Sequence, residues 1–264
     1  MSEERLRSII GSFGDRRVLV VGDIIADEFI YGQVARVSRE EPVLILKYDA
    51  TEMVAGGGGN AANNVAALGG RARLTGIVGN DAEGRRLVSS LPSGVERTHI
   101  VRARQYRTPV KTRILAGGIH SAKQQVVRID RETAWPLSDG VSRAFATKLS
   151  SIVDACDAVI LSDYGSGLVT PALAARIRSA VGRSAGRPRV PILVDSRYRL
   201  LEYRGMTTCT PNESEVEQML GVRIDDDPDT LERAGREVLR RTRSMAVLVT
   251  RGSIRYSYHK CNKK

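Results

Sequence analysis

Four consecutive glycines, Gly56 to Gly59, run straight into Asn60-Ala61-Ala62-Asn63-Asn64-Val65-Ala66-Ala67-Leu68-Gly69. Without Cβ atoms a backbone can take positive φ and come within hydrogen-bonding distance of a ligand. The small residues that follow predict a helix on which Asn60, Asn63 and Asn64 fall at i, i+3 and i+4, on one face near its amino end. Each asparagine offers a donor and an acceptor, so that face suits a polyol. Two other readings stand beside this one. The stretch can be a flexible loop before an ordinary helix. Alternatively, Gly56-x-Gly58-x-x-Ala61 fits the dinucleotide fingerprint G-x-G-x-x-A, with Asp81 about twenty residues on, where a ribose-binding acid stands. That fingerprint follows a first strand directly, whereas Val43 to Lys47 reads as a later strand and Glu52-Met53-Val54-Ala55 intervenes.

Ahead of the glycines, Arg17-Val18-Leu19-Val20-Val21-Gly22-Asp23 is an apolar run without alternation, the pattern of a strand buried on both faces, and it ends in a carboxylate. Asp23 and Asp27 lie just past that end, where open α/β sheets bind ligands, and read as acceptors for sugar hydroxyls. A single Asp after a strand is ordinarily a turn or cap residue. Downstream, strands are expected at Arg71 to Gly79, Asp157 to Ser162, Pro191 to Asp195, Thr207 to Thr210 and Met245 to Thr250. Helices are expected at Asp81 to Ser90, Gly140 to Ala155, Thr170 to Val181, Glu213 to Leu220 and Asp229 to Arg241, with Thr170-Pro171 as an N-cap followed by a first-turn proline. Such alternation predicts one α/β domain with a mostly parallel sheet and helices on both faces.

Phe29 to Tyr48 and Thr98 to Asp130 are β-rich and read together as a small sheet projecting as a lid, from about 28–48 and 98–130. Lys111 and Arg113 are two apart, so a strand puts both on one face, where they either hold an anionic substrate or stand as solvated cations. Asn212 and Glu215 stand three apart in a first helical turn and either direct hard oxygens at magnesium or cap the helix.

A length of 264 fits one large α/β domain. Three cysteines, none in a C-x-x-C pair, argue against a disulfide framework and a zinc site, and suit the reducing cytoplasm. No run approaches the roughly 18 apolar residues of a membrane span, and Met1 to Arg17 has no signal-peptide core, so no membrane partner is expected. The net charge of +11 raises the question of nucleic acid, but the arginines are scattered and no aromatic-basic platform accompanies them. No nucleic-acid partner is expected; a basic surface suits phosphorylated metabolites.

Through Gly57, Asn60, Ala62, Gly69 and Gly79, the stretch from Gly56 to Gly79 resembles the amino-terminal signature of the PfkB (ribokinase-like) carbohydrate kinases, and Asn212-x-x-Glu215 resembles that family's magnesium motif. Within the family the chain is most similar to the heptose-7-phosphate kinases. That likeness is carried by Val21-Gly22-Asp23 with Asp27, Arg36-Val37-Ser38-x-Glu40-x-Pro42-Val43, Ser162-Asp163-Tyr164, Tyr203-Arg204-Gly205 and Thr210-Pro211-Asn212. It runs from Arg17 to about Gly252. The resemblance implies a ribokinase-like, three-layer, doubly wound α/β fold with a small β lid. It implies a sugar or sugar phosphate pocket lined by Asp23, Asp27, Gly56, Gly57 and Asn60, and magnesium organised by Asn212 and Glu215. An ATP site would begin at Thr250 to Gly252, beside Asn212, and transfer of the γ-phosphoryl to a sugar hydroxyl would be the reaction. It also implies a homodimer through the lid.

The chain departs from that pattern. Ser166 stands where heptose kinases usually carry the lysine of Ser-Asp-Tyr-x-Lys-Gly, and Ser196-Arg197 replaces a usual Pro-Lys after Asp195. Family members follow Thr250-Arg251-Gly252 with more sheet and a Gly-Ala-Gly-Asp motif that stabilises the transferring phosphate and supplies the base. Neither is present in these 264 residues. Residues 1–253 read as the kinase domain, incomplete at its C-terminal end, and 254–264 as an atypical basic tail, as a shifted reading frame or shortened gene would give. No catalytic base is therefore assigned, and impaired turnover is expected. A catalytically silent sugar- or nucleotide-binding remnant and a nucleotide-cofactor oxidoreductase are the alternatives.

Overall fold

The computed structural model describes residues 2–117, 122–132, 137–181, 190–225, 227–252 and 255–260. In chain order the elements are α1 (Glu3–Gly11), β1 (Arg17–Gly22), β2 (Ile24–Val37), β3 (Leu44–Gly57), α2 (Gly58–Ala67), β4 (Arg71–Thr75), β5 (Ile77–Gly79), α3 (Ala82–Ser90), β6 (Val95–Glu96) and β7 (Val101–Ala103). They continue with β8 (Val110–Gly117), β9 (Gln124–Arg131), α4 (Asp139–Ser150), β10 (Ala158–Asp163), α5 (Pro171–Val181), β11 (Ile192–Ser196), β12 (Thr208–Cys209), α6 (Glu213–Leu220), α7 (Pro228–Thr242), β13 (Ala246–Arg251) and β14 (Arg255–Lys260).

The main sheet has the order β14-β13-β12-β11-β10-β1-β4-β6, and every pairing except β13 with β14 is parallel. Side chains alternate across a strand, so β1 serves two cores. Leu19 and Val21 join the cluster that α4, α5, α6 and α7 cover, while Val20 faces the cluster with Ala62 of α2 and Leu87 of α3. Helices therefore cover both faces, and the apolar, non-alternating run at 18–21 is what that burial requires. Among the described residues no helix is long and apolar enough to cross a membrane.

Local chemistry sets several helix starts. Asp81 caps α3 by accepting from Gly84 N–H, Asp227 caps α7 just before Pro228, and Thr170 Oγ1 accepts from Leu173 N–H at the start of α5. The strand expected from Arg71 to Gly79 is two strands. β4 stays in the main sheet, whereas β5 leaves it and pairs with β7.

A second sheet, ordered β3-β2-β8-β9, stands off the body as the lid. β2 and β3 are long and antiparallel, with register shifts at Tyr31/Gly32 and Val34/Arg36. From the second β-rich stretch, the lid takes 110–117 and 124–131, while 101–103 belong to the body. β3 also runs unbroken through Glu52-Met53-Val54-Ala55 into Gly57, so the glycines begin inside a lid strand. Of the tail residues, 255–260 form β14 at the sheet edge; 253–254 and 261–264 lie outside the described residues.

The glycines at the strand-to-helix junction are fixed by their surroundings. A Cβ on Gly56 would lie 2.1 Å from Asp27 Oδ2, and one on Gly57, whose φ is +56°, would lie 2.3 Å from the Asp23 carbonyl oxygen. The amino end of α2 is thereby drawn against the β1–β2 junction, where Gly58 N–H donates to Asp23 O at 2.8 Å.

Candidate functional site

β4 flanks β1 on one side and β10 on the other, so the carboxyl ends of β1 and β10 bound a topological switch point, the usual ligand position in open α/β sheets. The candidate residues gather there. Asp23, only 2 % exposed, accepts at Oδ2 from the N–H groups of Tyr164 (2.7 Å) and Ser166 (3.3 Å), and at Oδ1 from the Ser166 hydroxyl. Burial raises its pKa, and the hydrogen bonds from Ser166 and Tyr164 oppose that rise. Its carboxylate is thus engaged by the loop after β10. Asp27 is also engaged: Oδ1 pairs with Arg113 of β8, whose guanidinium lies 5.4 Å from the Phe29 ring centroid.

The three asparagines lie on α2 at the expected spacing but differ in burial. Asn60 and Asn64 are exposed, whereas Asn63 Oδ1 is buried and, among the described residues, has no hydrogen-bond donor on it. Lys111 and Arg113 do share a face of the lid sheet, and Lys111 Nζ sits 5.3 Å from the centroid of the Tyr164 ring.

A cavity of about 330 Å³ lies next to Tyr164 at the carboxyl ends of β10, β11 and β13, with Asp163, Asp195, Arg197, Glu215 and Thr250 in its wall. Asp163 is a structural joint. It accepts from Gly165 N–H (3.0 Å), Ser196 Oγ (2.8 Å) and Tyr203 Oη (2.7 Å). Asp195 differs: among the described residues no cation pairs with it, and burial together with Glu215 and Asp163 raises its pKa to about 6. Asn212 and Glu215 form a reciprocal capping box on α6. Asn212 Oδ1 accepts from Glu215 N–H at 2.8 Å, and Glu215 Oε2 accepts from Asn212 N–H at 2.9 Å. Thr250 N–H donates to Pro211 O at 3.0 Å, which brings the end of β13 against this cap, and Gly252 follows with φ +47°.

The model for the pfkB family of carbohydrate kinases matches residues 15–254. The chain belongs to that family. As a pfkB kinase domain it is 34% identical over 253 residues to the "Bifunctional protein HldE" of Geobacter sulfurreducens, covering 95% of this chain and 50% of the relative. It is 37% identical over 242 residues to the HldE of Gluconacetobacter diazotrophicus, covering 90% and 48%. The chain spans about half the length of the curated relatives it matches. Among solved structures, Escherichia coli phosphofructokinase-2 in complex with fructose-6-phosphate superposes with a TM-score of 0.67 at 19% identity, covering 94% of this chain and 77% of that one. Arabidopsis thaliana ribokinase with ribose and ATP gives 0.65 at 19% identity, covering 94% and 76%. These likenesses show the ribokinase-like α/β fold.

Membership in a kinase family removes the ground for an oxidoreductase, and the geometry agrees. In this pfkB domain Asp81 is tied to α3 and to Thr108, whose N–H and hydroxyl both donate to it, and the strand before the glycines is an antiparallel lid strand. Asp195 is among the cavity-wall residues that sequence reasoning did not assign to the site. Its signal was present, an acid closing the apolar run Pro191 to Asp195, the same signal that singled out Asp23.

Proposed function

We propose that this pfkB domain serves transfer of the γ-phosphoryl group of ATP to a hydroxyl of a sugar or sugar phosphate, with heptose 7-phosphate as the first substrate to test. The observation that carries the reading is the cavity wall in which Asp195 at the end of β11 and Glu215 in the first turn of α6 face one space, with no cation paired to either among the described residues. Two carboxylates so placed, one with a raised pKa, suit a hard divalent cation. Among the described residues no three acidic, cysteine or histidine side chains form a metal cage. This fits magnesium, which is held by one or two carboxylates together with nucleotide phosphates. Asp195 and Glu215 would hold it, with Asn212 beside them; when bound with ATP, magnesium neutralises charge on the phosphates. Thr250 and Gly252 lie on the nucleotide side. Asn60, Asp27 and the Gly56–Gly57 backbone form the side for sugar hydroxyls, and Asp23 sets the loop that closes it. The domain works in the cytoplasm, as a dimer joined through the lids.

These 264 residues contain no Gly-Ala-Gly-Asp segment, so a polypeptide of these residues alone binds sugar and nucleotide but transfers phosphate slowly. A missing general base typically costs about 10²- to 10⁴-fold, and missing oxyanion donors about a further 10²- to 10³-fold. Calorimetry with heptose 7-phosphate tests binding: Asn60→Ala should weaken it by about 1 to 3 kcal/mol. A coupled ADP-release assay with ATP and magnesium tests turnover. Absence of any sugar or sugar phosphate binding defeats the reading; turnover near one per second defeats only its slow-transfer part.

A further inference from the structure

Thr250 and Arg251 are successive residues of β13, and successive side chains leave a strand on opposite faces. Thr250 stands in the cavity wall with Asn212 and Glu215. Arg251 lies outside that wall and meets the first turn of α6. Its Nε donates to Glu213 Oε2, and its Nη2 donates to Glu213 Oε1 at 3.3 Å and to the Asp225 carbonyl oxygen at 2.6 Å. The pair is shielded from water, with the Arg251 side chain 12% exposed and that of Glu213 23%. One guanidinium thus joins the end of β13, the start of α6 and the segment between α6 and α7.

The two acids in the first turn of α6 are thereby divided. Glu213 and Glu215 are two apart, about 200° around the helix axis, so one is matched by Arg251 while the other closes the cap and faces the cavity. Packing gives this helix little orientation of its own. It has eight residues, and among them Val216 alone is fully buried. The backbone contact of Thr250 N–H with Pro211 O holds one point at its start. A forked ion pair on the next residue adds further points, and these set the rotation of the helix about its axis.

We infer that Arg251 is a positioning residue, whose pair with Glu213 fixes the rotation of α6 and so presents Asn212 and Glu215 to a divalent cation beside Thr250. This rests on the kinase reading above and gives its metal side a support from outside the cavity. A planar fork that is always charged matches a carboxylate with two donors and keeps a third for the Asp225 carbonyl, which a lysine ammonium cannot do in one fixed geometry. Charge and position act on a bound cation with opposite signs. A positive charge nearby repels the cation, so removing Arg251 would strengthen cation binding if charge were its whole effect. Loss of a positioning residue weakens that binding instead.

Manganese, standing in for magnesium, is titrated by electron paramagnetic resonance into the unsubstituted chain, Arg251→Gln, Glu213→Ala, Glu213→Gln and the Arg251→Gln/Glu213→Ala double variant, with calorimetry of heptose 7-phosphate alongside. Arg251→Gln and Glu213→Ala should each weaken manganese binding by about ten-fold or more. The double variant should bind no more weakly than either single one, because the two residues act as a unit, and sugar phosphate binding should stay unchanged. Tighter manganese binding by Arg251→Gln assigns a charge effect alone and overturns the inference, as does unchanged binding or an equal loss of sugar phosphate affinity. If thermal melting shows that Arg251→Gln does not fold, the Glu213 variants decide. Glu213→Gln keeps an acceptor for the guanidinium and should bind manganese more tightly than Glu213→Ala; equal affinities would leave only charge and overturn the inference. An unsubstituted chain that binds neither manganese nor the sugar phosphate defeats the kinase reading and the inference together. One that binds both, with the variants matching it, defeats the inference alone.

Discussion

The carboxylate of Asp23 accepts the hydroxyl hydrogen of Ser166 from 143 residues further along the chain. This contact ties the end of β1 to the loop after β10, across the topological switch point of the main sheet. With two backbone N–H groups on the same carboxylate, it makes Asp23 an organiser of the Tyr164 loop, and Tyr164 in turn meets Lys111 of the lid.

Ser166→Ala removes the hydroxyl donor from a buried carboxylate. Stability should fall by about 1 to 3 kcal/mol, the range for a buried charged acceptor deprived of a partner. Urea denaturation followed by circular dichroism measures it. An unchanged midpoint would show that water replaces the hydroxyl without cost.

Asp195 gives the cavity a pH dependence. Its folded pKa, raised from 3.8 to about 6, exceeds the unfolded value, so the protonated form is favoured by folding. The stability this contributes is full below about 3.8 and is lost as pH rises through about 6. Binding of magnesium needs the carboxylate ionised, so affinity should rise between pH 5 and pH 7, by up to about ten-fold per pH unit on the acid side. Manganese titration followed by electron paramagnetic resonance reads the affinity. Asp195→Asn should flatten the profile, and a profile in the variant as steep as in the parent would assign the proton to another group.

Gly57→Ala places a Cβ 2.3 Å from the Asp23 carbonyl oxygen at φ +56°. Overpacking and an unfavourable φ together should cost about 1 to 3 kcal/mol or more and pull α2 off the β1–β2 junction. Thermal melting with heptose 7-phosphate titration checks both effects; a variant that melts and binds like the parent would mean that the junction yields easily.

The lid leaves Val34, Val37, Val43, Leu44, Val127 and Ile129 between 41 and 57% exposed. An exposed sheet with that much apolar surface is an aggregation hazard unless a second sheet covers it. Light scattering at micromolar concentration should therefore give a dimer, and Leu44→Lys should shift it toward monomer. A parent chain that is monomeric throughout that range would remove the lid interface.

How much was legible in the sequence depended on the range of the interaction involved. The apolar run of β1, the Thr170-Pro171 start of α5 and the Asn212–Glu215 box on α6 are set by residues within a turn of one another, so periodicity and capping chemistry gave them directly. The glycine stretch was visible as a special backbone, and its likeness to the carbohydrate kinases came with it. The sequence could not show that β3 carries the lid straight into those glycines, because strand length is decided by a pairing partner and β2 supplied one as far as Ile24. Nor could it show how the charges are matched. Asp27 meets Arg113 across 86 positions and Asp23 meets Ser166 across 143, so which cation stays unpaired depends on strand order and register. Composition counts Lys111 and Arg113 as equals. Their cross-strand neighbours make one an ion-pair partner and leave the other facing Tyr164. Asp195 follows the same logic. Its apolar strand was readable, but its raised pKa comes from burial and from carboxylates on β10 and α6 that only the folded sheet brings together.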